Sequence, residues 1–310
     1  MIISNYELIE KIAEAPQTTV FKARHKKDPD RILILKALKA NHLSEYKKSR
    51  FKQKIEHLRV LNDPLIITPI SFNDRDESAF IIQDYFDGIS LDRFMAARSH
   101  LPLPDFFTIA TGLASALEKV HEAGIIHGGI KPHNILVEEG TLAVRLIDFI
   151  STVDVRDVSH FIYDGSYVRD TLAYTSPEQT GRISHRVVFS SDLYSLGIVF
   201  YEMLTGMLPF SSTDPLELIH SHLAEEAPRA HELNPDIPAV LSLVIAKLML
   251  KEPEKRYQHS RGLLADLTRC RDEYAATGSI CAFPLESCVY SHRVNFISKM
   301  VGRDREAETI

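Results

Sequence analysis

Residues 127–134 read HGGIKPHN, and their types are typical of a loop that performs chemistry. Two glycines, a lysine–proline pair and an asparagine lie close together, and the apolar run ILV that follows is typical of a strand. Histidine is the only residue type in this stretch that takes up a proton near neutral pH. The sequence therefore leaves open whether the loop is a working site or one that has lost its working part.

The segments before this loop predict a small β-rich unit. Residues 6–40 contain three short runs of β-branched and apolar residues separated by turn residues, which predicts a three-stranded antiparallel meander. Residues 43–61 repeat apolar side chains at helical spacing, and the sequence NDP ends that predicted helix. Two further strands, LIITPISF and AFIIQDYF, complete the predicted sheet.

The segments after residue 87 predict a larger helical unit. Residues 90–97 and 104–123 have helical periodicity, and residues 190–274 are helical again. From about residue 275 the composition changes, so the tail is predicted to be a linker. The predicted fold class is therefore α+β, with a β-rich half followed by a helical half.

Several motifs, in this order, resemble those of the protein kinases. The kinase catalytic loop is His-Arg-Asp followed by Asn, at the spacing of His127 and Asn134, and the sequence Asp-Phe-Ile beginning at Asp148 resembles the metal-binding Asp-Phe-Gly. The sequence Ser-Pro-Glu ending at Glu178 resembles the motif that closes the activation segment. Arg256 resembles the arginine that pairs with that glutamate.

This resemblance implies a two-lobed kinase-like fold. The small lobe would comprise residues 1–86 and the helical lobe residues 87–274, with a linker at 275–310. The sequence LAYTSPEQTGR is similar to the kinase-like domains that open large bacterial signalling proteins with ATPase, GAF and histidine-kinase domains. On that resemblance, the last ten residues would begin an ATPase domain.

The resemblance assigns roles to four retained residues that would bind Mg-ATP. Lys36 is similar to the strand lysine that pairs with the α- and β-phosphates, and Lys131 would contact the γ-phosphate. Asn134 and Asp148 would hold the magnesium ion. Whether Mg-ATP binds is left open by the sequence, because each of these residues also has a structural interpretation.

Other positions depart from the kinase pattern. Gly129 occupies the position of the catalytic base, and Gly128 that of the preceding arginine. Glycine cannot accept a proton, and losing a positioned base costs about 10²–10⁴-fold in rate. Counting back from the NDP sequence places Lys54 where a helix glutamate should pair with Lys36. His133 is a weaker candidate for a substitute base.

The predicted nucleotide-covering loop is also altered. Aligned on Val20, its three glycine positions hold Ala13, Ala15 and Thr18, with proline after Ala15. Glycine lets backbone N–H groups approach phosphates closely, whereas a Cβ hinders that approach and proline has no N–H. The sequence therefore predicts a weakened phosphate cradle.

The strand AFIIQDYF predicts the hinge between the lobes. Asp84 and Phe86 would lie along the adenine edge, by resemblance to kinases. Gln83 would guard the back of the pocket. These residues complete the predicted nucleotide site.

Composition excludes several other classes of protein. A formal net charge of −6 provides no general positive field for nucleic acid or an anionic membrane, and the longest apolar stretch, at 239–246, is too short to span a bilayer. Three cysteines match no metal-ligand spacing and favour a reducing compartment. The first residues lack the basic segment of a secretory signal. We expect a cytoplasmic protein without a nucleic-acid partner or membrane insertion.

The leading functional hypothesis is a pseudokinase that acts as a regulatory or protein-interaction module. Its partner would be another protein or an adjacent ATPase domain. One alternative is an active serine/threonine kinase with an atypical catalytic loop. A third hypothesis is transfer of AMP, which some kinase-like families perform.

Overall fold

The computed structural model describes residues 5–15, 18–38, 45–74, 79–149 and 171–286. Its N-terminal lobe is a five-stranded antiparallel sheet in the order β1-β2-β3-β5-β4. The strands are β1 (Tyr6–Glu14), β2 (Thr18–His25), β3 (Asp28–Leu38), β4 (Pro69–Asn73) and β5 (Ala79–Asp84). One helix, α1 (Glu45–Leu58), accompanies the sheet. The predicted meander is thus the first part of this sheet.

The two faces of the sheet have different surroundings because side chains alternate along a strand. Leu33, Leu35 and Ala37 are buried together in a small apolar cluster on one face. Lys36 alternates with them and therefore points to the other face. Ile81 of β5 also belongs to that face and packs with α1 in the main core. The alternation of β3 thus directs Lys36 towards the second lobe.

The C-terminal lobe is mainly helical. Its helices are α2 (Leu91–Ala96), α3 (Leu103–Glu122), α4 (Phe189–Thr205), α5 (Pro215–Ala224), α6 (Ala230–Leu233), α7 (Ala239–Leu248) and α8 (Ser260–Thr277). Three short strands, β6 (Ile89–Ser90), β7 (Ile135–Val137) and β8 (Val144–Leu146), form a small antiparallel sheet beside them. The predicted α+β, two-lobed architecture is confirmed.

Helix α4 is the centre of this lobe. Every residue from Ser190 to Tyr201 is buried, so this part of the helix is enclosed on all sides, and the helix packs against α3, α6 and α7. A helix buried all round holds its few polar side chains in fixed surroundings, where each requires a hydrogen-bond partner. Helix α4 therefore serves as a rigid support for the loops around it.

The chain after α8 folds back on the lobe, unlike the linker predicted from residue 275. Ile280, Phe283 and Leu285 pack against the main core. The amide of Glu286 donates to the buried carboxylate of Asp266 at 2.8 Å, and its side chain pairs with a lysine of α7. Apolar burial and hydrogen bonds thus hold this segment, a long-range effect that composition does not reveal.

Residues 287–310, with the predicted start of an ATPase domain, lie outside the described residues. Among the helices that the structure describes, none combines the length and apolar character needed to cross a membrane.

Candidate active site

Asp192 on α4 holds the backbone of the HGGIKPHN loop. It is 1% exposed, and its carboxylate accepts the amides of His127 at 2.9 Å and Gly128 at 2.7 Å. Nε2 of His121 lies 3.0 Å from the same carboxylate, and Nδ1 of His121 lies 2.9 Å from the Ser260 hydroxyl. Because these bonds satisfy a buried carboxylate, the loop has one well-defined position.

His127 is a structural part of the loop. Its ring is fully buried against Phe149, with 4.5 Å between the ring centroids. Burial lowers its pKa, so the ring is neutral near pH 7. Nδ1 accepts the amide of Gly129 at 3.2 Å, which places the ring proton on Nε2, 2.9 Å from the Ile147 carbonyl oxygen. With both nitrogens bonded, His127 is not the missing base.

Gly129 lies between His127 and Asn134 and bonds to both through its backbone. The side-chain amide of Asn134 donates to the Gly129 carbonyl at 2.8 Å. A Cβ at position 129 would lie 3.6 Å from Asn134 Nδ2 and 3.7 Å from His127 Nδ1, which are ordinary contacts. The backbone of Gly129 therefore connects the side chains of His127 and Asn134. The position also has room for a Cβ atom.

Lys36 and Asp148 form an ion pair between the lobes. Lys36 Nζ lies 2.9 Å from Asp148 Oδ1, and each side chain is 17% exposed. Asp148 has φ of 68°, in the left-handed region that few non-glycine residues adopt. The amide of Ile147 donates to the Asn134 carbonyl at 3.0 Å. The structure therefore places Asp148 directly beside Lys36, and a backbone hydrogen bond connects the residue before Asp148 to Asn134.

Position 54 carries a lysine whose charge acts on His127. Lys54 is half-buried on α1 and precedes the buried Ile55. Burial is the main cause that lowers the pKa of His127, and the positive charge of Lys54 contributes in the same direction. A lysine at this position adds positive charge to the site. Asp148 supplies Lys36 with the carboxylate that the kinase pattern assigns to α1.

The segment from residue 171 onward is bonded to the catalytic loop. Lys131 Nζ donates to the Thr171 hydroxyl at 3.0 Å, and Gln179 Nε2 donates to the Gly128 carbonyl at 3.0 Å. The amide and hydroxyl of Ser176 both donate to Gln179 Oε1. The structure thus joins Lys131 to this segment. Residues 150–170, which include the isoleucine of the Asp-Phe-Ile sequence, lie outside the described residues.

The residues that flank the tip of the predicted nucleotide-covering loop bond to each other. Ala13 pairs with Val20 across β1 and β2. The Ala15 amide donates to the Thr18 carbonyl at 2.8 Å, and the Thr18 amide donates to the Ala15 carbonyl at 3.3 Å. Two amides that a phosphate would need thus have partners already. The proline and glutamine between them lie outside the described residues.

The hinge side chains point to other partners. Asp84 is exposed and pairs with Arg31 at 2.6 Å. The guanidinium of Arg145 lies 4.6 Å from the centroid of the Phe86 ring. The Asp84 carboxylate pairs with Arg31, an exposed side chain of β3. Only the backbone of Asp84 would therefore be placed to contact adenine.

His133, the candidate substitute base, is about half exposed. Its Nε2 lies 3.4 Å from an Asp92 oxygen on α2. Both residues line a cavity of about 520 Å³ that also includes Tyr174 and Glu202. The hydroxyl of Tyr174 donates to Glu202 at 2.6 Å. The structure therefore places His133 at the edge of an open groove next to the catalytic loop.

A family profile described as "Protein kinase domain" matches residues 6–266. The chain belongs to the protein kinase family. The matched range contains both lobes, the Lys36–Asp148 pair and the whole catalytic loop. The kinase fold thus explains why residues so distant in sequence meet between the lobes.

Named relatives of this kinase-family chain include bacterial serine/threonine kinases. A probable serine/threonine-protein kinase of Clostridium perfringens is 32% identical over 277 residues, which cover 87% of this chain and 39% of the relative. Serine/threonine-protein kinase PrkC of Bacillus subtilis is 28% identical over 246 residues, covering 78% and 37%. The chain therefore spans about two fifths of the length of these curated relatives.

The kinase fold is also found in a solved structure. The crystal structure of the Mycobacterium tuberculosis PknI kinase domain matches with a TM-score of 0.67 at 22% identity, over 86% of this chain and 96% of that chain. This match supports the two-lobed fold.

The kinase pattern identified some supporting residues and missed others. Glu178 and Arg256, which the motif order paired, meet in the structure, and Asp192 anchors the loop. His121, Ser260 and Gln179 were not identified. The first two lie far in sequence from their partners, so no local pattern indicates their roles. Gln179 directly follows Glu178 of the kinase motif, and this neighbouring position was the signal that could have identified it.

Proposed function

We propose that this kinase-family chain is a pseudokinase module that has lost efficient phosphotransfer. The observation that carries the proposal is Gly129 at the position of the base. His127 and Asn134 bond its backbone from both sides, so the loop keeps its shape. The kinase family transfers phosphate largely by positioning and charge. A site that has lost only its base would therefore still bind ligands but transfer phosphate slowly.

We further propose that the site still binds Mg-ATP. Lys36 and Asp148 meet at 2.9 Å, and Asn134 lies on a backbone bonded to the residue before Asp148. When bound, the magnesium ion would neutralise phosphate charge. The oxygen atoms of Asn134 and Asp148 would hold it, since oxygen is its preferred ligand. Against binding, the amides of Ala15 and Thr18 each donate to the carbonyl oxygen of the other residue, so neither N–H is left for a phosphate.

Calorimetric titration of the full chain with ATP tests this second proposal. We expect binding that requires Mg²⁺, and at least a tenfold loss of affinity in Asp148→Asn and in Lys36→Met, because each removes a charge that faces the phosphates or the metal.

Lys119→Met serves as the matched control, since Lys119 pairs with Glu122 on an exposed helix face. It should bind as the unaltered chain does. Equal binding by Asp148→Asn, or no heat at millimolar Mg-ATP, would show that the retained residues only maintain the fold.

A second candidate function is an active serine/threonine kinase with an atypical loop. The intact Lys36–Asp148 pair and the bond between Lys131 and Thr171 favour it. The relatives named as serine/threonine kinases support the same function. Phosphotransfer would then depend on positioning without a base.

Transfer of label from γ-labelled ATP to a mixture of serine and threonine peptides separates the two functions. We expect transfer no faster than in Asp148→Ala, because the base is absent. Transfer at ordinary kinase rates that disappears in Asp148→Ala would establish the active kinase and refute the pseudokinase. Label incorporated only from the α-phosphate would instead indicate AMP transfer.

A protein-interaction role follows from the groove beside the catalytic loop. The cavity of about 520 Å³ has acidic side chains, Asp92 and Glu202, and apolar side chains that include Phe210 and Leu218. A surface with these properties suits a protein partner. We propose that the partner is another protein or, in a longer chain, an adjacent ATPase domain, in the cytoplasm and without nucleic acid.

A further inference from the structure

Gln179 connects the end of the activation segment to the catalytic loop. It lies in a short turn of 3₁₀ helix, Pro177–Thr180, and is 9% exposed. Its Nε2 donates to the Gly128 carbonyl at 3.0 Å, and its Oε1 accepts the amide and the hydroxyl of Ser176 at 3.1 and 3.0 Å. The side chain thus bonds to its own turn through its oxygen and to the catalytic loop through its nitrogen.

The turn that carries Gln179 has a fixed position in the helical lobe. The preceding residue, Glu178, accepts two hydrogen bonds from Arg256, at 2.6 and 2.9 Å, and both side chains of this ion pair are fully buried. Two adjacent side chains of the turn therefore have different partners, since Glu178 binds Arg256 and Gln179 binds the catalytic loop. A donor on a fixed turn restrains the carbonyl group that it binds.

Both backbone groups of Gly128 are bonded by side chains. Its amide donates to Asp192 at 2.7 Å, and its carbonyl accepts from Gln179. Because Asp192 belongs to the buried helix α4, Gly128 is held between the core of the lobe and the activation segment. The next residue is Gly129, at the position of the base. These two hydrogen bonds therefore position the part of the loop where the base is missing.

In kinases, phosphorylation orders the activation loop through new pairs between arginine and the phosphorylated residue. Position 128, where the kinase pattern has an arginine, is glycine and offers a phosphate no cation. We infer that Gln179 is a positioning residue that holds the end of the activation segment, residues 171–180, on the catalytic loop without phosphorylation. The hydrogen bond from Lys131 to Thr171 joins the same two segments.

Hydrogen exchange of the unphosphorylated full chain tests the independence from phosphate. The chain is treated with a protein phosphatase, and its mass is checked for the absence of phosphate. We expect the amides of Gly128 and Gly129 to exchange roughly a hundredfold or more slowly than unstructured amides, because both have partners in the closed loop. Exchange of both amides at the unstructured rate would overturn the inference.

Two variants isolate the hydrogen bond that reaches the loop. Gln179→Glu keeps an oxygen that accepts from Ser176, but a carboxylate cannot donate to the Gly128 carbonyl. Ser176→Ala removes one donor to Gln179 and leaves the bond to Gly128 in place. We expect the Gly128 and Gly129 amides to exchange roughly fivefold to tenfold faster in Gln179→Glu than in the unaltered chain at neutral pH. In Ser176→Ala they should exchange at the unaltered rate.

A comparison at lower pH separates this hydrogen bond from a general loss of packing. The carboxyl group introduced by Gln179→Glu becomes a donor when it takes up a proton. Its excess exchange over the unaltered chain, measured at the same pH, should therefore disappear as the pH falls, whereas Gln179→Met should keep its excess at every pH.

Three outcomes would overturn the role of Gln179. They are no excess exchange in Gln179→Glu at neutral pH, an excess that persists in that variant at low pH, and an excess equally large in Ser176→Ala. The last two would indicate a loss of packing instead. None of these readouts requires ATP or a peptide substrate, so they are independent of the proposed function.

Discussion

Replacing Gly129 with aspartate and Lys54 with glutamate is expected to raise phosphotransfer by about 10²–10⁴-fold over the unaltered chain. The aspartate would restore a proton acceptor beside Asn134, and the glutamate would remove a positive charge near His127. This rate increase is the contribution that a positioned general base makes. The proposed function depends on the loss of that base.

The backbone at Gly129 suits a residue with a Cβ atom. The φ of Gly129 is not in the left-handed region, and its added Cβ would meet neighbours only at 3.6 Å or more. Gly128 is different, because its φ of 71° would strain an arginine there. Its backbone also bonds to Asp192 and Gln179. The restoring variant therefore leaves Gly128 unchanged.

Initial rates of γ-phosphate transfer measure the effect. Gly129→Asn with Lys54→Glu is the matched control, since asparagine has the size of aspartate but does not act as a base. We expect that control to stay at the unaltered rate. If both variants gained equally, or if neither gained while Mg-ATP bound normally, the assignment of position 129 as the lost base would be wrong.

Replacing Arg256 with methionine is expected to lower the free energy of unfolding by about 3–5 kcal/mol. All five N–H groups of Arg256 have partners: two bind Glu178, at 2.6 and 2.9 Å, and the others bind the carbonyls of Leu250, Lys251 and Ser190. Both side chains of the ion pair are fully buried. The large loss arises because the Glu178 carboxylate would remain buried without its cation.

Urea unfolding of the full chain measures this loss. Arg261→Met is the control, because Arg261 binds Glu118 and Glu122 while 66% exposed, and such pairs contribute about 0–1 kcal/mol. Adding Glu178→Leu to Arg256→Met should recover part of the loss by removing the unpaired charge. A loss under 1 kcal/mol in Arg256→Met would contradict the importance of the pair.

The same pair predicts a dependence on pH. Burial would raise the pKa of Glu178, but the hydrogen bonds and charge of Arg256 outweigh it, so the pKa is lower than the ordinary value of 4.5. The stability from this group is therefore present above pH 4.5 and declines as the pH falls through the lower folded pKa. As the pH falls through that range, the free energy of unfolding should decrease less in Arg256→Met than in the unaltered chain.

The sequence by itself determined the fold class and the identity of the altered catalytic positions. Strand alternation, helical periodicity and the order of the motifs predicted a two-lobed kinase. The loss of the base at Gly129 was evident from the sequence because a general base requires a side chain that accepts a proton, and glycine has none. The sequence also predicted that Arg256 pairs with Glu178, by resemblance to the kinase motifs.

Only the tertiary structure decided which side chains meet and which remain apart. Lys36 is 112 residues from Asp148, and Asp84 bonds to Arg31 across two strands. Such contacts depend on sheet register and lobe packing, which local patterns do not encode. The folding-back of the chain after α8, through residues 280–286, is likewise a product of long-range packing. A single sequence shows which groups a chain carries, but the free energy of packing decides which of them are brought together.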